Sequence, residues 1–226
     1  MVNGVHVPYS ASVSDLVAQL RPPTNRAWAA STALGHKGTP ESLDVLLGLA
    51  HDSDWRYRRS SVEALASHPL AGTMAKQICR ALSDSSPYVV RTACDTVAEF
   101  ELRDAHDILL GLTRSTSAAT RQAVLRALSR LWRNDDFARL MTIYLSDQVQ
   151  AVRREAAWAL KANASPENWE PLFEAWASDS VPRHGIWACE LAMALGGASV
   201  HEQLVRLSDD AYGHVRKAAI RALEVR

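Results

Sequence analysis

"AVRREAAWAL", residues 151–160, mixes valine, leucine and four alanines with two arginines, a glutamate and a tryptophan. A helix of that composition has one narrow apolar side, and whether the pattern recurs decides what that side is built to touch. With Leu160 as a ruler mark, equivalent residues stand at Leu34, Leu65, Val97, Leu128, Leu191 and Leu223, separated in chain order by 31, 32, 31, 32, 31 and 32 residues. A fixed period of this kind signals stacked structural units rather than an ordinary globular core.

The segments ending at the marks read RAWAASTAL (26–34), YRRSSVEAL (57–65), VVRTACDTV (89–97), TRQAVLRAL (120–128), VRREAAWAL (152–160), RHGIWACEL (183–191) and VRKAAIRAL (215–223). Apolar or small residues recur at the first, fifth, eighth and ninth places, a spacing that gathers them on one side of a 3.6-residue helix. Small residues there let a neighbouring helix approach closely. Upstream of each mark lies a second apolar cluster: Leu16 and Leu20; Leu46, Leu47 and Leu49; Ile78 and Leu82; Ile108, Leu109 and Leu112; Leu140, Ile143 and Leu145; Leu172, Phe173 and Trp176; Leu204, Val205 and Leu207. These predict the first helix of each pair. Turn and capping residues separate the two helices, as in Asp84-Ser85-Ser86-Pro87, Asp179-Ser180-Val181-Pro182 and "SDDAYG" (208–213), and Pro40, Pro87, Pro166 and Pro182 fall at boundaries. Gly196-Gly197 is placed as a C-terminal cap. No stretch alternates with period two, so no sheet is expected.

The order first helix, Asp-containing turn, then V-R-x-x-A-x-x-A-L resembles the HEAT repeat, in particular the short kind named after phycobilisome lyases. "DQVQAVRREAAWAL" (147–160) and "DDAYGHVRKAAIRAL" (209–223) carry the resemblance best. The third copy departs from it with Arg91 shifted one place, and the sixth with Gly185 and Trp187. The resemblance implies an all-α, right-handed α-solenoid of about seven HEAT-like helix pairs, with residues 1–11 as an N-terminal tail and 12–226 as a single repeat domain.

With 25 basic and 25 acidic residues the net charge is zero, so bulk electrostatics demands neither nucleic acid nor an anionic membrane. Cys79, Cys94 and Cys189 are scattered with no CxxC, which reads as reduced thiols in a cytoplasmic protein. The N-terminal "MVNGVHVPYSAS" lacks a signal-peptide pattern, and no apolar run is long enough for a membrane span. The expectation is a monomer with no membrane association.

No catalytic or cofactor motif emerges. The eight histidines form no HxxxH or HExxH pair, and GxSxG, P-loop and GxGxxG patterns are missing from the sequence. A di-iron hydroxylase built from HEAT-like repeats carries His-Glu pairs at the start of its second helices. Here those places read Arg154-Glu155 and His184-Gly185, while His201-Glu202 lies in a first helix, so no metal set is expected. No cofactor is expected either, and an enzyme is the less favoured reading.

Two sets of second-helix positions stand out. Arg58, Arg121, Arg153 and Arg216, with Asp54, Asp84, Asp147 and Asp209 in the preceding turns, are read as a structural ladder, since a half-buried guanidinium demands carboxylate and carbonyl partners. The third and seventh places point away from the packing face and, by the resemblance, line a concave groove. The binding residues expected there are Trp28, Arg59, Glu63, Arg91, Asp95, Arg126, Arg154, Trp158, Lys217 and Arg221. Arginine and tryptophan are the residue types that most often dominate binding surfaces. Arg59 with Glu63 and Arg91 with Asp95 also read as i,i+4 helix pairs. Trp132, Trp176 and Trp187 read as core.

The function expected is a non-enzymatic scaffold that binds a protein partner along this groove. A second reading is nucleic-acid binding, because one family of bacterial DNA glycosylases acting on alkylated bases is also a HEAT-like solenoid with a basic, aromatic groove. Neutral charge speaks against it. A third, bilin lyase-like activity, is implied only by the name of the repeat.

Overall fold

The computed structural model describes residues 6–69, 75–195 and 200–224. The expected cap at Gly196-Gly197 lies outside them. The chain forms two compact units, Met1–Leu131 and Trp132–Arg226. In the first, α1 (Val13–Ala18), α3 (Pro40–Leu49), α5 (Ala75–Ala81) and α7 (His106–Leu112) are first helices. Their partners are α2 (Asn25–Lys37), α4 (Trp55–Ala66), α6 (Pro87–Glu99) and α8 (Ala118–Arg130), and a short 3-10 turn at Arg103–Ala105 precedes α7. In the second, α9 (Asp136–Ser146), α11 (Trp169–Ala177) and α13 (His201–Ser208) pair with α10 (Gln150–Ala162), α12 (Pro182–Leu195) and α14 (Gly213–Glu224). The architecture is a repeat helical solenoid with no strand among the described residues, as the periodicity predicts.

Local chemistry starts and stops these helices. Thr39 caps α3 through a reciprocal capping box with Ser42, and Pro40 occupies its first turn, where a missing N–H costs nothing. Gly38 ends α2 in the left-handed region at φ 67°, a conformation that glycine adopts without strain. Asp54 caps α4 and Ser117 caps α8.

Six of the seven ruler residues lie in the cores of the two units, and Leu223 in the last copy is half-buried. Leu34, Leu65, Val97, Leu128 and Leu160 are fully buried and Leu191 nearly so. Within the first unit each second helix packs on the next, α2 on α4, α4 on α6 and α6 on α8, and also on its own first helix. Burial therefore extends beyond the four predicted places to the fourth and sixth, for example Ala29, Ser60 and Ala123, and Val62, Cys94 and Leu125. A helix flanked on both sides needs a wider apolar stripe than a surface helix does. Ser60 and Ser61 are accommodated there because both hydroxyls find carbonyls: Ser60 donates to Tyr57 within α4 at 3.0 Å, and Ser61 to Leu46 across the α3–α4 contact at 2.7 Å.

Close approach sets two further positions. A Cβ on Gly35 would stand 2.4 Å from the Ala64 carbonyl oxygen, so α2 and α4 touch where no larger residue fits. Gly185 plays a similar part in the second unit, with its missing Cβ 3.0 Å from a Val215 methyl, which accounts for its departure from the repeat pattern. Of the expected tail, Val7 is buried and Tyr9 packs edge-on against His36. Trp176 and Trp187 are core residues as expected, whereas Trp132 is only half-buried. No helix among the described residues is long and apolar enough to cross a membrane.

Candidate functional site

The turns before the second helices repeat one device. Asp52, Asp84, Asp147, Asp179 and Asp210 each accept the backbone N–H two residues on, from Asp54, Ser86, Val149, Val181 and Tyr212, at 2.8–2.9 Å. Such Asx turns fix the entry into the following helix. From inside that helix an arginine reaches back to the same turn. Arg58 donates to the Asp52 and Ser53 carbonyls, Arg121 to Ser115 and Thr116, Arg153 to Asp147, and Arg216 to Asp210 and Ala211.

Arg58 also grips the next turn, with Nε and Nη2 on the two Asp84 oxygens at 2.7 and 2.8 Å. That fork holds the Asp84 carboxyl below its ordinary range, aided by the Ser86 N–H and against the opposing effect of burial. The arginine column expected from sequence is therefore a structural ladder. The aspartate column needs correcting at two of its four positions. Asp54 is the helix cap and is gripped by Arg56, and the turn residues are Asp52 and Asp210 in place of Asp54 and Asp209, because an Asx turn needs the carboxylate two residues ahead of the cap. The first copy has Ala27 at the arginine place, and Arg21 from the preceding loop pairs with Asp52 instead while lying over the Tyr57 ring.

On the second-helix face of the first unit, two adjoining hollows of about 200 and 380 Å³ share Trp28, Arg59 and Glu63. The smaller adds Trp55, Arg56 and Tyr57, with Trp55 stacked on the exposed Tyr88 at 4.6 Å. The larger runs along α2, α4 and α6 past Thr32, Asp95 and Glu99. Its carboxylates are partly engaged. Glu63 accepts from the Trp28 indole N–H and from Arg59 Nε at 3.0 Å, and Asp95 lies 3.5 Å from Arg126 Nη2.

Four expected binding residues of this unit, Trp28, Arg59, Glu63 and Asp95, thus line one continuous surface. The Arg59–Glu63 helix pair forms. The Arg91–Asp95 pair does not: Asp95 turns to Arg126 on the next second helix, and Arg91, shifted one place in the repeat, is half-buried and lines neither hollow.

In the second unit, Arg154 is exposed and lines a cleft of about 660 Å³ with Arg153, Arg183, Tyr144, Asp179, His184 and Trp187. Trp158 is 47% exposed and meets the buried Trp187 edge-on at 4.8 Å, so it covers apolar surface while presenting its other side. Lys217 and Arg221 are exposed on α14 and do not line this cleft.

Sequence reasoning passed over the buried cluster at the cleft floor. Tyr144 stands where other copies have leucines, the buried Leu49 and Leu207 and the half-buried Leu112, and its hydroxyl donates to Asp179. His184 stands at the ladder-arginine place, counted back from Leu191, and its Nδ1 lies 2.8 Å from the same oxygen of Asp179. Burial and the adjacent carboxylate push the Tyr144 phenol far up, so it stays protonated. Burial works against the Asp179 charge, but the Tyr144, His184 and Val181 hydrogen bonds outweigh it and hold the carboxyl below its usual range. Each break in a repeat column was visible in the sequence as a polar or aromatic residue in an apolar or arginine series. Cys94 and Cys189 are pushed up to about 12 by burial, which makes them inert thiols. Among the described residues, no group of three or more His, Cys, Asp or Glu side chains is arranged to hold a metal ion.

The family model for HEAT repeats matches residues 13–73, 75–161 and 137–224. No curated protein matches the chain. Among solved structures, the complex of CpcE and CpcF of phycocyanin lyase from Nostoc sp. PCC7120 is similar at 23% identity and a TM-score of 0.56, over 66% of this chain and 98% of that one. An engineered protein of the Northeast Structural Genomics Consortium is similar at 20% identity and the same TM-score of 0.56, over 94% of this chain and 67% of that one. Likenesses at such identities establish the fold alone.

Proposed function

This chain belongs to the HEAT-repeat family, and on that premise we propose that it is a non-enzymatic scaffold holding a segment of a protein partner along its second-helix face. The carrying observation is the pair of joined hollows on the first unit, where Trp28 and Trp55 offer aromatic area beside the carboxylates Glu63, Asp95 and Glu99. Such a surface suits a segment with an apolar or aromatic anchor followed by a lysine or arginine. Large rigid side chains supply contact area at low entropic cost, and the charges fix register.

Nucleic acid fits this face less well. Phosphate tracking needs surplus cations, whereas Arg59 and Arg126 are matched by Glu63 and Asp95. The lyase neighbour shares a scaffold that is reused for unrelated tasks, so its activity does not carry over.

The test places a photo-crosslinking amino acid at Thr32, in the larger hollow, and separately at the exposed Glu41 of α3 as a control. The proposal expects one protein adduct from the Thr32 position, lost when Trp28→Ala and Glu99→Lys are introduced. Equal adducts from both positions, or an adduct insensitive to those substitutions, would reject it.

A further inference from the structure

We infer that the cleft of the second unit binds a phosphate monoester group, independently of the partner surface on the first. The argument starts from an interrupted ladder. Arg58 uses Nη1 for its own turn and a fork of Nε and Nη2 for the carboxylate of the next turn, Asp84. Arg153 is its counterpart and likewise donates from Nη1 to the Asp147 carbonyl at 2.7 Å. The carboxylate that its fork would take is Asp179, the same 26 residues further on as Asp84 is from Arg58. Asp179 is already held by the Tyr144 hydroxyl and His184 Nδ1. Nε and Nη2 of Arg153 therefore have no hydrogen-bond partner among the described residues, although the side chain is half-buried.

Arg153 lines the cleft together with Arg154 and Arg183, which are exposed and form no ion pair among the described residues. Three arginines and one carboxylate line the cleft, an excess of two positive charges. A phosphate monoester is close to a dianion at neutral pH and has three acceptor oxygens, which matches both the charge and the donor fork. A single carboxylate supplies half that charge. The volume of about 660 Å³ lies in the range of small-ligand sites and far exceeds inorganic phosphate, leaving room for an organic substituent against Trp187. Gln150 and Ser180 add neutral donors to the lining.

The experiment is isothermal titration of the full chain with phenyl phosphate, with a pentapeptide carrying a central phosphoserine, and with inorganic phosphate. Saturable binding of either organic ester is expected, weakened about tenfold or more in Arg154→Gln/Arg183→Gln, a change of about 1.4 kcal/mol or more. Both residues are exposed and outside the ladder, so the double variant should melt as wild type does. Arg206→Gln, on α13 outside the cleft, should bind normally. Tighter binding of phenyl phosphate assigns the site to a free small molecule, and tighter binding of the peptide assigns it to a phosphorylated protein segment. Absence of saturable heat with both esters at about 5 mM, or affinity unchanged by the double substitution in a folded protein, would overturn the inference.

Discussion

Arg58 ties two successive copies together with a single side chain, donating to two carbonyls of its own turn and gripping Asp84 in the next. Both partners are largely screened from water, with side chains 16% and 12% exposed. Arg58→Ala therefore leaves a carboxylate and two carbonyls short of donors, and should cost about 2–3 kcal/mol in urea unfolding. Arg216→Ala, on an exposed arginine with carbonyl partners only, should cost less than half as much. The pH dependence follows from Asp84, whose carboxyl is depressed in the folded state by the Arg58 fork. Its contribution is complete above the unfolded value of about 3.9 and is lost as pH falls through the lower folded value. The stability difference between wild type and Asp84→Asn should thus stay level from neutral pH to about pH 5 and shrink below about pH 4. At this scale sequence was readable where residues recur and misleading where they do not. The arginine column stood out because four of the seven copies place the same donor at the same point of the second helix. Tyr144, Asp179 and His184 are not legible as a unit because the two breaks in the pattern, Tyr144 and His184, stand 40 residues apart, and only folding brings both to Asp179.

At the scale of the helix, small residues decide spacing. Gly35 lies in the last turn of α2, where alanine has the better intrinsic propensity by up to about 1 kcal/mol. Its contact with the Ala64 backbone reverses that preference, since a Cβ at 2.4 Å must push α2 and α4 apart. Gly35→Ala should lower stability by about 1–3 kcal/mol as overpacking does, read as a fall in thermal midpoint. Helix existence and order followed from the 3.6-residue spacing, and boundaries from Thr, Ser, Asp and Pro at the caps. The width of the buried stripe did not, because one sequence cannot reveal that a second helix is flanked on both sides. For the same reason Asp95 was paired within its own helix on spacing alone, when Arg126 on the neighbouring second helix competes for it.

For the whole molecule, the period of the ruler residues specified stacked helix pairs, and the second-helix face followed from that stacking. Which of the expected binding residues share a cleft was not readable, because the hollows depend on neighbouring side chains such as Trp55 and Glu99 that lie off the third and seventh places. If each copy contacts mainly its neighbours, one copy is removable. The direct test deletes residues 66–97, one full period that carries α5 and α6, so that Leu65 is followed by Ala98 and α4 meets α8 in place of α6. Circular dichroism during urea unfolding should show undiminished helicity per residue and a cooperative transition, while a half-period deletion of residues 66–81 should abolish both. Loss of folded helix in the full-period deletion, or equal tolerance of the half-period one, would contradict the repeat on which this account rests.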